Sequence, residues 1–268
     1  AGRIVYQDLP RINMSVADGT FFQNPSLIAA LNHAKQNHSR LHLLGLVGGG
    51  GVHSDLAHLF ALLRLCHEQQ IPTVYLHLFT DGRDSPPSAA MTYINQIKSV
   101  IQRESVGKIA SVMGRFYAMD RDFRWDRTAK AYFCLTEGIG KKADSVESVI
   151  SESYSANKTD EFIEPTLIIP EAIIKSNDAV IFYNFRIDRP RQLTKAFVLP
   201  NFEETANITG FDPYAVRYAH KHVEDTRDRS KPFTRPTQLT NLFFVTMTEY
   251  EKNLPVNIAF PPLMVDNP

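Results

Sequence analysis

A chain of 268 residues with 43% apolar content can bury a sizeable core, in one large domain or two small ones. Lysine plus arginine and aspartate plus glutamate both number 29, so the net charge is zero. That balance argues against a general polyanion binder and leaves room only for a local basic pocket.

No apolar run approaches the roughly 20 residues that cross a bilayer. The opening Ala1-Gly2-Arg3-Ile4-Val5 is neither a signal peptide nor an initiator methionine and reads as cut from something longer. Leu9, Ile12 and Val16 are at helical spacing up to Gly19, and Asn24-Pro25 opens a second helix striped by Leu27, Ile28, Leu31 and Ala34. Leu41 to Val47 is continuously apolar, as expected of a strand buried on both faces, and ends in the glycine run before Val52-His53-Ser54. A helix through Leu56, Leu59, Phe60, Leu63 and Cys66 follows, then a strand from Thr73 to Phe79. Next come Thr80-Asp81-Gly82-Arg83-Asp84-Ser85-Pro86-Pro87, with Ser85 expected to cap the helix that carries Ala90, Ile94, Ile97 and Ile101. Ile109 to Met113 predicts a third strand, and Trp125 to about Glu137 a helix ended near Gly138. Beyond it, Asp144-Ser145 precedes a helix to about Tyr154, and Ile163 to Ile169 is short and extended. Asp178 to Asn184 is the fourth core strand; Pro190 disfavours helix at Arg189 and starts one itself. Residues 200 to 240 form a polar excursion, and Leu242 to Met247 is the fifth strand. Cys66 and Cys134 are expected as reduced core residues of a cytoplasmic protein.

Repeated strand, polar loop and helix is the pattern of βαβ units and an α/β fold with a mainly parallel sheet flanked by helices. Ligands of such sheets bind outside the carboxyl ends of the strands, and four of the five predicted ends carry polar clusters. Gly114 to Arg127 packs four arginines and three aspartates among large apolar side chains. That composition suits bidentate recognition of phosphate or carboxylate, or an internal network pairing Asp120, Asp122 and Asp126 with Arg121, Arg124 and Arg127. The glycine run before His53 is no P-loop, since no Gly-Lys-Ser/Thr follows. Asp81-Gly82-Arg83-Asp84 reads either as a capped turn or as carboxylates kept ionised by arginine, fit for a general base. Arg83, Arg115, Arg121, Arg186 and Arg189 converging with a carboxylate would match a small ligand bearing two negative charges and hydroxyls. No His, Cys or Asp grouping has metal-ligand spacing.

In this order, Gly2 to Leu9, Gly51-Val52-His53-Ser54, Asp81-Gly82-Arg83-Asp84, Gly114 to Arg121, Asn184-Phe185-Arg186, Asp188-Arg189 and Ala259-Phe260-Pro261-Pro262 resemble the cofactor-independent phosphoglycerate mutases over nearly the whole chain. The resemblance implies the inserted substrate-binding domain of a two-part enzyme, spanning 8–255, with 1–7 as a hinge and 256–268 as a returning linker. The other part, akin to alkaline phosphatases, would carry two divalent metals, typically manganese, and a transiently phosphorylated serine. By matching motif, His53, Arg83, Asp84, Arg115, Arg121, Arg186 and Arg189 would contact 3-phosphoglycerate or 2-phosphoglycerate, with Asp84 as the catalytic base toward the glycerate hydroxyl. The segment itself would have no metal or cofactor and would be inactive alone.

Several positions depart from the family pattern: Gly48 and Gly49 replace a serine and its neighbour, Asp55 replaces a histidine, and Ile187 and Pro190 stand where proline and alanine are common. The alternative is a non-catalytic module that senses a phosphorylated metabolite. Nucleic-acid binding through Arg217 to Arg235 is disfavoured by the interleaved Glu224, Asp225 and Asp228.

Overall fold

Strand β1 (Leu41–Val47) is buried at every position and forms the axis of the sheet. The structure, a computed structural model, describes residues 7–208 and 230–263. On one flank of β1 lie β2 (Val74–Thr80), β3 (Lys108–Gly114), β5 (Thr166–Leu167) and the edge strand β4 (Lys141–Lys142). On the other lie β6 (Ala179–Phe182), β7 (Phe243–Thr248) and β8 (Asn257–Phe260). All neighbouring strands pair in parallel except β3 and β5. The chain steps outward from β1 to β3, then returns to β6 on the opposite side of β1. That reversal is the switch point of an open α/β sheet, the place where ligands of such folds bind.

Helices cover both faces. Helices α1 (Asp8–Asp18), α2 (Pro25–Gln36), α3 (Leu56–Glu68), α4 (Ala90–Glu104) and α7 (Val146–Ser155) close one core around Leu43, Leu76 and Ile181. The short α5 (Arg115–Ala118) with α6 (Trp125–Glu137), α8 (Pro190–Val198) and α9 (Phe202–Thr205) closes the other around Leu44, Phe79 and Phe182. Phe233, from the polar excursion, packs its ring 4.9 Å from Phe202 and 5.3 Å from Tyr132. Most of the charge-rich stretch beginning at Arg217 lies outside the described residues. Cys66 and Cys134 are free and buried, and burial pushes each thiol up to about 12. Among the described residues no helix is long and apolar enough to cross a membrane.

Three expectations need correction. The sheet has eight strands rather than five: β4 and β5 are each two residues long, β5 lying within the stretch 163–169 expected to be short and extended, and β8 is the third addition. Residues 257–260, expected within a returning linker, pair with β7 as the sheet edge. Ser85 does not cap α4. The main-chain N–H groups of Ala89 and Ala90 instead donate to Asp160 Oδ2, each at 2.9 Å. Helix α8 does start at Pro190, as expected, with Arg189 on the turn before it at φ −89° and ψ −36°.

A buried polar chain crosses the sheet from the amino ends of β6 and β1 to β2 and β3, away from the carboxyl ends of the strands. Asp178 Oδ2 is 3.1 Å from His42 Nε2, His42 Nδ1 is 2.9 Å from His77 Nε2, and His77 Nδ1 is 2.8 Å from Ser111 Oγ. Burial holds His42 and His77 below the ordinary histidine range, and pushes His58 to about 4. Such groups stay neutral in the fold but protonate on unfolding below about pH 6.5, so stability is intact above that pH and falls as pH drops. Each can remove up to about 1.4 kcal/mol per pH unit. Melting curves should therefore shift down by several degrees between pH 7 and pH 5; a flat profile would mean that these histidines are not buried neutral.

Candidate active site

The loop after β2 is wound around one carboxylate. Asp81, 2% exposed, accepts on Oδ1 from the main-chain N–H of Arg83 (3.2 Å) and Asp84 (3.1 Å) and on Oδ2 from Ser85 Oγ (2.9 Å). The Ser85 hydroxyl in turn accepts from the Gly49 N–H at 3.0 Å. A Cβ on Gly48 would come within 2.7 Å of that hydroxyl and 2.8 Å of Asp81 Oδ2, so the Ser85–Asp81 pair fills the space a side chain there would need. At Gly50 a Cβ would meet the Asp84 carbonyl oxygen at 2.3 Å, and this close main-chain approach presses the β1 and β2 loops together. Asp55, the other departure in this loop, caps α3 by accepting from the Ala57 N–H at 2.9 Å.

Arg115 closes the floor where β3 ends. It is 2% exposed and donates Nη1 to Asp81 Oδ1 and to Asp84 Oδ2, both at 2.5 Å, while Nη2 sits 3.1 Å from His53 Nε2. His53, on the β1 loop, takes two main-chain bonds on its carbonyl from Phe185 (2.9 Å) and Arg186 (3.3 Å), which joins the loops after β1 and β6 at the switch point. Its Nδ1 faces Asp188 Oδ1 at 3.7 Å. Asp188 is bonded in turn by Arg121 Nη1 (2.5 Å) and Arg186 Nε (3.1 Å). Arg115, His53, Asp188 and Arg186 thus form one connected cluster, and the four strand ends converge.

The remaining predicted residues lie at its margin. Arg189 donates Nη1 to the Met119 carbonyl at 3.2 Å, and Arg83 extends to Glu161 at 3.3 Å with its side chain 58% exposed. The dense 114–127 stretch splits. Arg124 and Arg127 neutralise Asp120, with Asp122 also on Arg124, as an internal network, whereas Arg121 leaves them for Asp188.

Electrostatics separates the roles. Burial pushes the Asp84 carboxyl up, but the hydrogen bond and charge of Arg115, with the nearby Arg189, outweigh that and hold it below the usual range, ionised at neutral pH. Burial, with the Arg115 charge second, pushes His53 down to about 4, so it is a neutral imidazole. Burial and then Arg115 and Arg121 push Arg189 below the ordinary arginine range, with Asp188 opposing. An arginine crowded by other arginines is a cation short of anions. Two buried polar atoms in the cluster, Arg115 Nε and His53 Nδ1, have no hydrogen-bond partner. Such an assembly can hold a small polyanion and offer a carboxylate to a hydroxyl proton. Among the described residues no group of three or more His, Cys, Asp or Glu side chains could hold a metal ion.

Of the aspartates that shape these loops, Asp81 was expected only as one of two candidate carboxylates, and Asp160 and Asp188 were given no role. Asp188 had a signal, since it sits between Arg186 and Arg189. Asp160 had none, because its role depends on the fold bringing it about 70 residues back, onto the start of α4.

The family model described as "BPG-independent PGAM N-terminus" matches residues 12–252. The chain belongs to this family, the bisphosphoglycerate-independent phosphoglycerate mutases. A 2,3-bisphosphoglycerate-independent phosphoglycerate mutase of Chloroflexus aurantiacus is 48% identical over 278 residues, covering 100% of this chain and 49% of that protein. One from Methanosarcina barkeri is 44% identical over 273 residues, covering 100% and 47%. The chain spans about half the length of the curated relatives it matches. A crystal structure of Leishmania mexicana phosphoglycerate mutase superposes with a TM-score of 0.76 at 23% identity, over 98% of this chain and 45% of that one, which establishes the shared fold.

Proposed function

We propose that the strand-end cluster holds 3-phosphoglycerate and 2-phosphoglycerate for a glycolytic mutase that works through a phosphoserine intermediate. The observation that carries this is the single connected cluster in which Arg115, Arg121 and Arg186 meet the carboxylates of Asp81, Asp84 and Asp188 beside a neutral His53, with Arg189 at its margin. Arg83, Arg121, Arg186 and Arg189, at the solvent side, would take the phosphate and carboxylate. Arg115 and His53 would form the floor and aim Asp84. Asp84, ionised and part-exposed, would accept the proton of the glycerate hydroxyl that attacks the phosphoserine.

In this reading the substrate-binding unit runs from about residue 8 through β8 and works against a phosphatase-like unit of the same enzyme, in the cytoplasm. That unit would supply the serine and two divalent metals, typically manganese, which stabilise charge on the phosphoryl group. No residue of this cluster is assigned to the metals.

The reading is tested by mixing the 268-residue chain with 3-phosphoglycerate and manganese and following 2-phosphoglycerate by 31P NMR. No conversion above a blank is expected, because in this reading the phosphoryl-accepting serine and the charge-stabilising metals belong to the other unit. Sustained turnover would show that the chemistry lies within these residues and that the division of labour is wrong.

A further inference from the structure

His53 donates from one ring nitrogen only, and the structure shows which one. A guanidinium has donors and no acceptor, so Arg115 Nη2, 3.1 Å from His53 Nε2, requires a lone pair on Nε2. The proton of the neutral ring is therefore on Nδ1. That Nδ1 is buried, has no hydrogen-bond partner and lies 3.7 Å from Asp188 Oδ1, just beyond bonding reach. Asp188 is drawn away by Arg121 on Oδ2 (2.5 Å) and by Arg186 Nε on Oδ1 (3.1 Å). Both arginines are nearly half exposed, at 44% and 47%, so they face incoming anions while binding a resident carboxylate.

We propose that Asp188 is a positioning residue that stands in for the substrate anion, pairing with Arg121 and Arg186 in the free pocket and passing to His53 Nδ1–H when phosphoglycerate takes those arginines. This rests on the substrate reading given above. The exchange leaves no group stranded: the arginines keep an anion, and the orphaned Nδ1–H gains an acceptor. The movement needed is under about 1 Å to reach normal bonding distance. The main-chain bonds from Phe185 and Arg186 to the His53 carbonyl already hold the two loops in register. His53 is then fixed from both sides, by Asp188 at Nδ1 and by Arg115 at Nε2, with Asp84 Oδ2 3.5 Å from that same Nε2. Anion binding at the rim thereby sets the ring that flanks the Asp84 carboxylate.

The test is long-range 1H–15N spectroscopy of the histidine rings and arginine Nε groups of the full 268-residue chain at pH 7, with 3-phosphoglycerate added to saturation. In the free chain His53 should be the Nδ1–H tautomer. On saturation its Nδ1 proton should shift as a bonded donor and exchange with water about tenfold more slowly. Asp188→Ala should lose that response, and Asp188→Asn should keep part of it, since an amide oxygen still accepts. Both variants should bind 3-phosphoglycerate at least about threefold more tightly, because the competing paired state of the arginines is removed. An Nε2–H tautomer, an unchanged Nδ1 in the saturated wild type, or a full response in Asp188→Ala would each overturn the proposal. Weaker binding in Asp188→Asn would mark Asp188 as a plain structural ion pair. If 3-phosphoglycerate moves none of the arginine signals, the substrate reading itself fails, an outcome separate from a bound ligand with a silent His53.

Discussion

Arg115→Ala should lower stability by about 3–5 kcal/mol, the usual cost of removing one partner from a buried ion pair. Its guanidinium joins Asp81, itself 2% exposed, to Asp84 and His53. Alanine would leave a carboxylate buried without a countercharge and remove the contact that aims Asp84. For a chain of this size each kcal/mol moves the melting temperature by about 2–4 °C, so a fall of roughly 6–20 °C is expected. Arg115→Lys would keep the charge but lose the planar fork, and with it either an aspartate or the histidine. It should recover only part of the loss. A melting temperature unchanged in Arg115→Ala would mean that Asp81 is neutralised some other way, and the floor of the site would have to be redrawn.

Asp84→Asn should do the reverse, sparing the fold and removing the chemistry. Asp84 is 27% exposed, and asparagine preserves both its shape and an acceptor for Arg115. Introduced into a two-part phosphoglycerate mutase that carries this unit, the change should lower turnover about 10²–10⁴-fold, the usual worth of a positioned general base, with little change in melting temperature. Asp81 cannot serve instead: it is buried, and both its oxygens are occupied by Arg115, Ser85 and main-chain N–H groups. Because the Asp84 pKa is lowered, its protonation removes activity only below the ordinary carboxylate range. An acid limb near neutrality would have to come from another group. Unchanged turnover in Asp84→Asn would dismiss the base assignment.

Elements whose signals are local could be read from the sequence. Strand β1 was legible to the residue, because a central parallel strand must be apolar on both faces. Helix α6 was legible at both ends, through Trp125 and the left-handed Gly138 that stops it. The start of α2 was plain from Asn24-Pro25, and Asn24 Oδ1 does accept from the Ser26 and Leu27 N–H groups. What escaped depends on distant contacts. The α4 cap comes from Asp160, β5 is set by its antiparallel pairing with β3, and β8 forms only because β7 offers an edge. The same holds in the site. That arginines and aspartates gather at strand ends was visible from composition and the α/β pattern. That Arg115 is buried while Arg121 and Arg186 stay near the surface was not, since charge alone carries no depth. Asp188 bridges two loops, and only their folded proximity shows it.

If four strand ends build one anion site for phosphoglycerate, the chain must bind that ligand saturably through its arginines. This is tested most directly by titrating 3-phosphoglycerate into the chain at low and high salt and following the arginine Nε–H resonances. Saturable binding in about the millimolar range, some 4 kcal/mol, should appear. It should weaken as salt screens the half-exposed arginines and be lost in Arg186→Ala and Arg189→Ala. No saturable response, or binding undiminished in both variants, would contradict the account.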